Sequence, residues 1–186
     1  SSKEQSFKLF IRVPGWAQNQ AIPSDLYVFS DNKITKPVSI RINNKKVTYE
    51  LKNGYAVIDR VWNDNDEIVM DLPMEARRVF ANAKVEADRG MEAYQRGPVV
   101  FCMEGVDNNG NALNIAVTDK NKIEYSFMPE LLKGVGVLRF KGQQIWKDEQ
   151  SGNETVKNTN LMAIPYYAWA HRGEGSMAVW IPQKIK

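Results

Sequence analysis

The chain has 186 residues, of which 43% are hydrophobic and 25% are charged, a composition typical of a globular protein with one large all-β domain or two small ones. Its 25 Lys and Arg residues against 22 Asp and Glu residues leave a net charge of only +3, which argues against a nucleic-acid partner. A single cysteine excludes an intramolecular disulfide framework and leaves the cellular compartment open, and no apolar run is long enough to span a bilayer.

The first half of the chain has the pattern of a meander of antiparallel strands with one buried face. Apolar and polar residues alternate through most of its segments, which is the period of a half-buried strand. Asn53 and Gly54 form the strongest short hairpin signal, because both tolerate the positive φ of a tight turn. The predicted strands are residues 7–13, 26–29, 38–42, 47–51, 55–62 and 67–72.

The second half also consists of short strand-like segments, but it is not a sequence repeat of the first. The predicted strands are residues 79–87, 91–95, 99–103, 115–117, 123–127, 135–140, 160–163 and 177–181. Residues 129–134 have the pattern of one helical turn that a glycine ends. Residues 147–157 are polar throughout, so they predict a mobile loop with no buried face.

No amphipathic helix of useful length is predicted, and turn signals recur every eight to twelve residues or so. This spacing predicts an all-β fold of two consecutive antiparallel β-sandwich (jelly-roll-like) domains. We place them at residues 1–75, with strands missing before the first of them, and residues 76–186. A sandwich that lacks strands would expose an unpaired edge, through which two copies could dimerise.

Few residues carry a pattern that indicates catalysis or metal binding. Cys102 lies in an apolar strand, where burial would make its thiol inert, and His171 lies in a glycine-rich loop with no local catalytic signature. Oxygen-rich turns near Asp66 and Asp107 do not fit a calcium-binding loop. A carboxylate pair for glycoside hydrolysis cannot be singled out among the 22 acidic residues.

Aromatic residues near turns offer an alternative chemistry, the stacking of a sugar ring. Trp16, Tyr166 and Trp169 are such residues, although aromatic side chains in sandwiches more often fill the core. Strand-like alternation in residues 166–169 predicts that Tyr167 and Trp169 share one face while Tyr166 lies on the other.

Several segments, in order along nearly the whole chain, match the motifs of one known enzyme family. IRVPGWA at residues 11–17 is similar to the family's LRIPGWA, and RGPVVFCME at residues 96–104 is similar to its RGPLVYCLE. IPYYAWAHRG at residues 164–173 is similar to its IPYYAWANRG, with His171 where the family usually has asparagine. Residues 42–44, 54–62 and 66–74 follow the family's order as well. By these motifs the chain resembles glycoside hydrolase family 127, the β-L-arabinofuranosidase-like enzymes.

The resemblance implies that catalysis belongs to an (α/α)₆ barrel that precedes this region in the family. There a zinc-bound cysteine is the nucleophile, with glutamate and cysteine as further ligands. Cys102 matches a sandwich position of the family, so no catalytic role transfers to it, and we expect no cofactor in this chain. The expected function is a non-catalytic accessory region that braces the barrel of the same parent chain, in a bacterial-type enzyme of carbohydrate metabolism.

The alternative function is a carbohydrate-binding module that uses surface aromatic residues. Both functions require an exposed contact surface, either for a glycan or for the barrel. The candidate contact residues are Trp16, Tyr166, Trp169, His171 and Arg172.

Overall fold

The computed structural model describes residues 4–30, 34–118, 122–148 and 150–183. Within them the chain forms sixteen strands and four short 3₁₀ helices, which confirms the predicted all-β class. No helix among the described residues is long and apolar enough to cross a membrane. The strands are β1 (Gln5–Arg12), β2 (Tyr27–Phe29), β3 (Ser39–Ile42), β4 (Lys45–Val47), β5 (Glu50–Lys52), β6 (Tyr55–Trp62), β7 (Ile68–Asp71), β8 (Ala76–Ala81), β9 (Met91–Arg96), β10 (Val99–Glu104), β11 (Ile115–Val117), β12 (Glu124–Met128), β13 (Val135–Lys147), β14 (Glu154–Pro165), β15 (Met177–Ala178) and β16 (Ile181–Pro182).

The chain folds into two compact units. The first contains Ser1–Pro23 and Asn32–Glu75, and the second contains Ser24–Asp31 and Ala76–Lys186. Strand β2 therefore belongs to the second unit, where it pairs antiparallel with β8.

The first unit consists of two three-stranded antiparallel sheets, in the orders β1-β6-β5 and β4-β3-β7. Strands β5 and β6 are joined at Asn53 and Gly54, whose φ values of 50° and 78° confirm the predicted tight turn. The alternating apolar side chains of both sheets form one core, because they point to the same side of each strand. Its fully buried members are Val13, Ala17, Ile40, Ile42, Ala56, Ile58 and Trp62.

The second unit is one antiparallel sheet in the order β11-β13-β14-β10-β9-β8-β2, with β12 on β13, β15 on β10 and β16 on β9. Side chains from β9, β11 and β13 meet in a single core, so the two ends of this sheet fold over each other. A second cluster includes Cys102 of β10, Val137 of β13 and Ile164 of β14. These strands therefore bury both faces.

The predicted mobile loop at residues 147–157 is wrong. Strand β13 continues to Lys147 and β14 begins at Glu154, so the described residues of this segment form the end of a long hairpin, and residue 149 lies outside them. The Asp148 side chain accepts backbone N–H bonds from Gln150 and Ser151 in the connecting turn. Near this turn the hairpin is exposed on both faces, so it forms without the apolar alternation that would have revealed it.

Three further predictions of local structure are also wrong. Residues 129–134 form turns rather than a helical turn, because Leu132 and Lys133 have the left-handed φ values of 50° and 64°. Strand β8 ends at Ala81 and not at residue 87. Directly after Ala81, the Asn82 side chain accepts the backbone N–H of Lys84 in a local turn. The last predicted strand is two short ones, β15 and β16, which pair with different neighbours.

Candidate glycan or domain-interface surface

The candidate surface of the second unit is the loop that follows strand β14 and folds back onto the end of strand β10. Strand β10 ends at Glu104, and its partner β14 ends at Pro165. A 3₁₀ helix, Tyr166–Ala168, follows β14 and leads into the 166–175 loop. The loop returns to β10 through the Gly105 N–H, which donates to the Ser176 carbonyl oxygen at 2.8 Å.

An ion cluster of Glu104, Asp107 and Arg172 holds this loop against the end of β10. The Arg172 guanidinium donates to both carboxyl oxygens of Asp107, at 2.7 Å from Nη1 to Oδ1, and Nη2 also pairs with Glu104. The other Glu104 oxygen accepts the backbone N–H of Ala170 at 2.8 Å. All three side chains are largely buried. Arg172 is therefore a loop clamp whose hydrogen-bonding groups are directed mainly at its own chain.

The electrostatics of the cluster follow from this pairing. The hydrogen bonds that Arg172 donates to Asp107 and Glu104 hold the pKa of Arg172 above its ordinary value, against the opposing effect of burial. Burial first, and then the Glu104 and Asp107 charges, raise the pKa of the nearby Cys102 thiol to about 12. Cys102 is therefore a thiol at neutral pH, which does not favour its acting as a nucleophile.

Tyr166 and Trp169 form an exposed aromatic pair on the same loop. Their rings stack with centroids 6.4 Å apart and an interplanar angle of 20°. The predicted alternation, with Tyr166 opposite Trp169, is wrong because the segment is a 3₁₀ helix, in which residues three apart share a face. Beside Trp169 lies an open groove of about 410 Å³, which Glu104 and Glu174 also line.

The structure brings four of the five predicted contact residues into one loop. Tyr166, Trp169 and His171 are exposed there, whereas the guanidinium group of Arg172 is paired with the carboxylates of the ion cluster. Trp16 lies in the first unit, in the 3₁₀ helix Gly15–Gln18, where it is half-buried against that unit's core.

Sequence reasoning missed the residues that organise the loop. Glu104 and Asp107 were not paired with Arg172, because 68 and 65 residues separate them from it. It also missed Asn108, whose buried amide donates to the carbonyls of Glu104 and Met162 at 2.8 and 2.9 Å. The one available signal was a pair of acidic residues directly after an apolar strand.

The residues present do not fit the zinc site that the family resemblance implies. The sequence has one cysteine, and the described residues contain no group of three histidine, cysteine or acidic residues placed to hold a metal. At the oxygen-rich turns, protein donors already occupy the carboxylates. Asp66 accepts from the Asn63 backbone and the Asn43 amide, which lower its pKa, and Asp107 accepts from Arg172.

The geometry defines an all-β chain of antiparallel sheets with a clamped aromatic loop, and comparison with known proteins gives its family. Residues 76–182 match the glycoside hydrolase family 127 C-terminal domain, and residues 1–74 match the GH127 middle domain of β-L-arabinofuranosidase. The chain therefore belongs to glycoside hydrolase family 127.

Individual relatives agree with this assignment. The chain is 27% identical over 191 residues to the non-reducing end β-L-arabinofuranosidase of Bifidobacterium longum subsp. longum, covering 97% of this chain and 26% of that protein. Among solved structures, it is similar to a GH127 β-arabinofuranosidase with TM-score 0.90 and 37% identity, over 99% of this chain and 29% of the other. A GH127 β-L-arabinofuranosidase from Geobacillus stearothermophilus matches with TM-score 0.79 and 35% identity, over 98% and 27%. The chain thus spans little more than a quarter of the length of these relatives.

Proposed function

We propose that this chain is a non-catalytic accessory region of a glycoside hydrolase. Its two domains, residues 1–75 and 76–186 with the exception of strand β2, which joins the second unit, brace a catalytic (α/α)₆ barrel of the same parent chain. The parent acts on β-L-arabinofuranosides, and the zinc that the family resemblance implies is held in that barrel. The observation that carries the proposal is the coverage, since the matched domains are the middle and C-terminal ones and make up only 26% to 29% of the relatives.

The burial of Cys102 supports the assignment. The side chain is 1% exposed and its thiol pKa is about 12, so at neutral pH this chain offers no cysteine nucleophile on its surface.

A hydrolysis assay tests the proposal. The purified chain is incubated with 4-nitrophenyl β-L-arabinofuranoside, with the B. longum relative as the active control. We expect no release of 4-nitrophenol above the buffer rate. Release that scales with the concentration of the chain would contradict the proposal, and its loss in Cys102→Ala would assign the activity to this chain rather than to a contaminant.

The second candidate function is glycan binding by the 166–175 loop. The observation in its favour is the exposed Tyr166–Trp169 stack beside an open groove, since an aromatic face can stack on the C–H face of a sugar. Calorimetry with arabino-oligosaccharides should show heat that disappears in Trp169→Ala. His171→Asn, which restores the residue usual in the family, is the control that should retain it.

A further partner is a second copy of the chain, through the edge strand β1. In the sheet order β1-β6-β5, one side of β1 faces β6 and the other has no neighbouring strand among the described residues. Such an edge is a template for strand pairing. Light scattering over a concentration series should show a dimer, and Phe10→Lys, a charge placed on an exposed position of β1, should lower the dimer fraction.

A further inference from the structure

A second groove in the second unit, distinct from the Trp169 groove, is lined by aromatic rings and one arginine. It has a volume of about 250 Å³ and lies where the edge strand β12 pairs with β13, next to the end of β14. Its principal lining residues are Arg96, Phe101, Tyr125, Phe127, Pro165 and Tyr167. None of these was among the predicted contact residues.

Two glycines, Gly136 within β13 and Gly134 directly before it, allow the rings of β12 to lie flat across the sheet. A Cβ on Gly136 would overlap the Tyr125 ring, with Cζ only 2.8 Å away, and a Cβ on Gly134 would lie 3.0 Å from Cζ of Phe127. Glycine weakens a strand interior, so its presence at position 136 coincides with the need for close approach, whereas the φ of 103° at Gly134 also favours glycine. The outer ring faces remain accessible, since Phe127 is 61% exposed and Tyr167 is 68% exposed.

Arg96 adds polar chemistry to this aromatic shelf. Its guanidinium carbon lies 3.7 Å from the centroid of the Tyr125 ring. This cation–π contact holds the guanidinium group over the ring. Among the residues that the structure describes, the Arg96 side chain has no hydrogen bond or ion pair. A guanidinium carries five N–H donors, so this groove presents donors that the protein leaves unused.

We propose that this groove binds one sugar residue of an arabinofuranosyl glycan. A sugar matches both halves of the site, because its C–H face packs on Phe127 and Tyr167 while its hydroxyl oxygens accept from Arg96. A simple anion would use Arg96 but gain nothing from the rings, and an apolar peptide would leave the guanidinium donors unpaired. The volume lies below the roughly 300–1,000 Å³ of pockets for drug-sized ligands, which suits a single ring.

The choice of arabinofuranose rests on the proposed function, whereas the sugar-binding chemistry of the groove rests on its own residues. The site is open and shallow, so we expect weak binding with a dissociation constant in the millimolar range. Such a site would keep a glycan near the parent enzyme without taking part in its reaction.

The test is an NMR titration of the ¹⁵N-labelled 186-residue chain with methyl β-L-arabinofuranoside. We expect saturable shifts at Phe127 and Tyr167. Tyr167→Ala and Arg96→Gln should each weaken the affinity by about fivefold or more. Tyr55→Ala is the matched control, because this exposed tyrosine of β6 in the first unit lines neither groove and should leave the affinity unchanged. Amide spectra of each variant establish that the fold is retained.

Three results would overturn the inference. One is the absence of saturable shifts, and another is an equal loss of affinity in Tyr55→Ala and Tyr167→Ala. The third is a set of groove shifts that depend on protein concentration without sugar, because a second copy of the chain would then cover the groove. The anomeric signal of the glycoside gives a separate readout. Hydrolysis of the glycoside would contradict the proposed non-catalytic function, whereas the absence of binding would contradict only the proposed sugar site.

Discussion

Removing the cation from the Glu104–Asp107–Arg172 cluster should destabilise the second unit strongly. Arg172→Ala leaves two carboxylates close together and largely buried, with no positive partner. Removing one partner of a buried ion pair costs about 3–5 kcal/mol, because the remaining charge stays desolvated. The Arg172 side chain is 19% exposed, so water partly screens the cluster and we expect the lower end, about 3 kcal/mol.

Native-state hydrogen exchange read by mass spectrometry can measure this loss separately in each unit. A loss of about 3 kcal/mol raises the opening equilibrium constant more than a hundredfold. Peptides from β10, β13 and β14 should therefore exchange faster, while peptides from the first unit serve as an internal control.

Two variants sharpen the test. Arg89→Ala removes an exposed arginine that lies 3.8 Å from Glu86 and should change stability little. Arg172→Lys keeps the charge but loses the bidentate fork, so its effect should lie between those of the two alanine variants. If the free energy of unfolding of Arg172→Ala lies within about 1 kcal/mol of that of the unsubstituted chain, the interpretation of Arg172 as a loop clamp is wrong.

Three other predictions follow from buried groups of the second unit. The thiol pKa of about 12 and the burial of Cys102 predict that a thiol reagent modifies the native chain far more slowly than the urea-unfolded one, and equal rates would contradict this. Gly136→Ala should lower the free energy of unfolding by about 1–3 kcal/mol in urea titrations, and Tyr125→Ala should remove most of that loss if the two groups overlap as described. Burial raises the pKa of Glu92 above its ordinary 4.5, so the folded chain retains a proton that the unfolded chain releases. The free energy of unfolding of the chain, measured by urea titration relative to that of Glu92→Gln, should therefore fall as pH rises from about 4.5 through the raised pKa and stay level above it. A difference between the two chains that does not change with pH would refute the shift.

Several strands could be predicted almost to the residue, although the predicted strand 47–51 is two strands, β4 and β5, of different sheets. The segment 55–62 was predicted from alternation and is β6, whose buried residues Ala56, Ile58 and Trp62 all point to the core of the first unit. Segments 91–95 and 99–103 differ from β9 and β10 by a single residue at one end. In each case a side-chain pattern of short range decides the structure.

Local pattern fails where solvent or distant residues decide the structure. The β13–β14 hairpin near residues 147–154 is exposed on both faces, so its polar sequence resembles that of a loop. The carboxylates that pair with Arg172 are more than 60 residues away, and spacing along the chain contains no information about such a contact. The sequence could therefore place the 166–175 loop on the surface, but it could not show that Arg172 faces inward.

The two segments that carry the family resemblance in the second unit form one structure. Phe101 of the first segment pairs with Pro165 of the second, so strands β10 and β14 lie side by side. The aromatic groove lies on one side of this pairing, lined by Phe101 and Tyr167. The ion cluster lies at the far end of β10, where Glu104 receives Arg172.

Adjacent tyrosines separate these two surfaces. Because the chain turns through a 3₁₀ helix after Pro165, neighbouring side chains point about 120° apart. Tyr166 consequently stacks on Trp169, whereas Tyr167 lines the groove. Single substitutions at these two positions can therefore assign any glycan or domain contact of the second unit to one surface or the other.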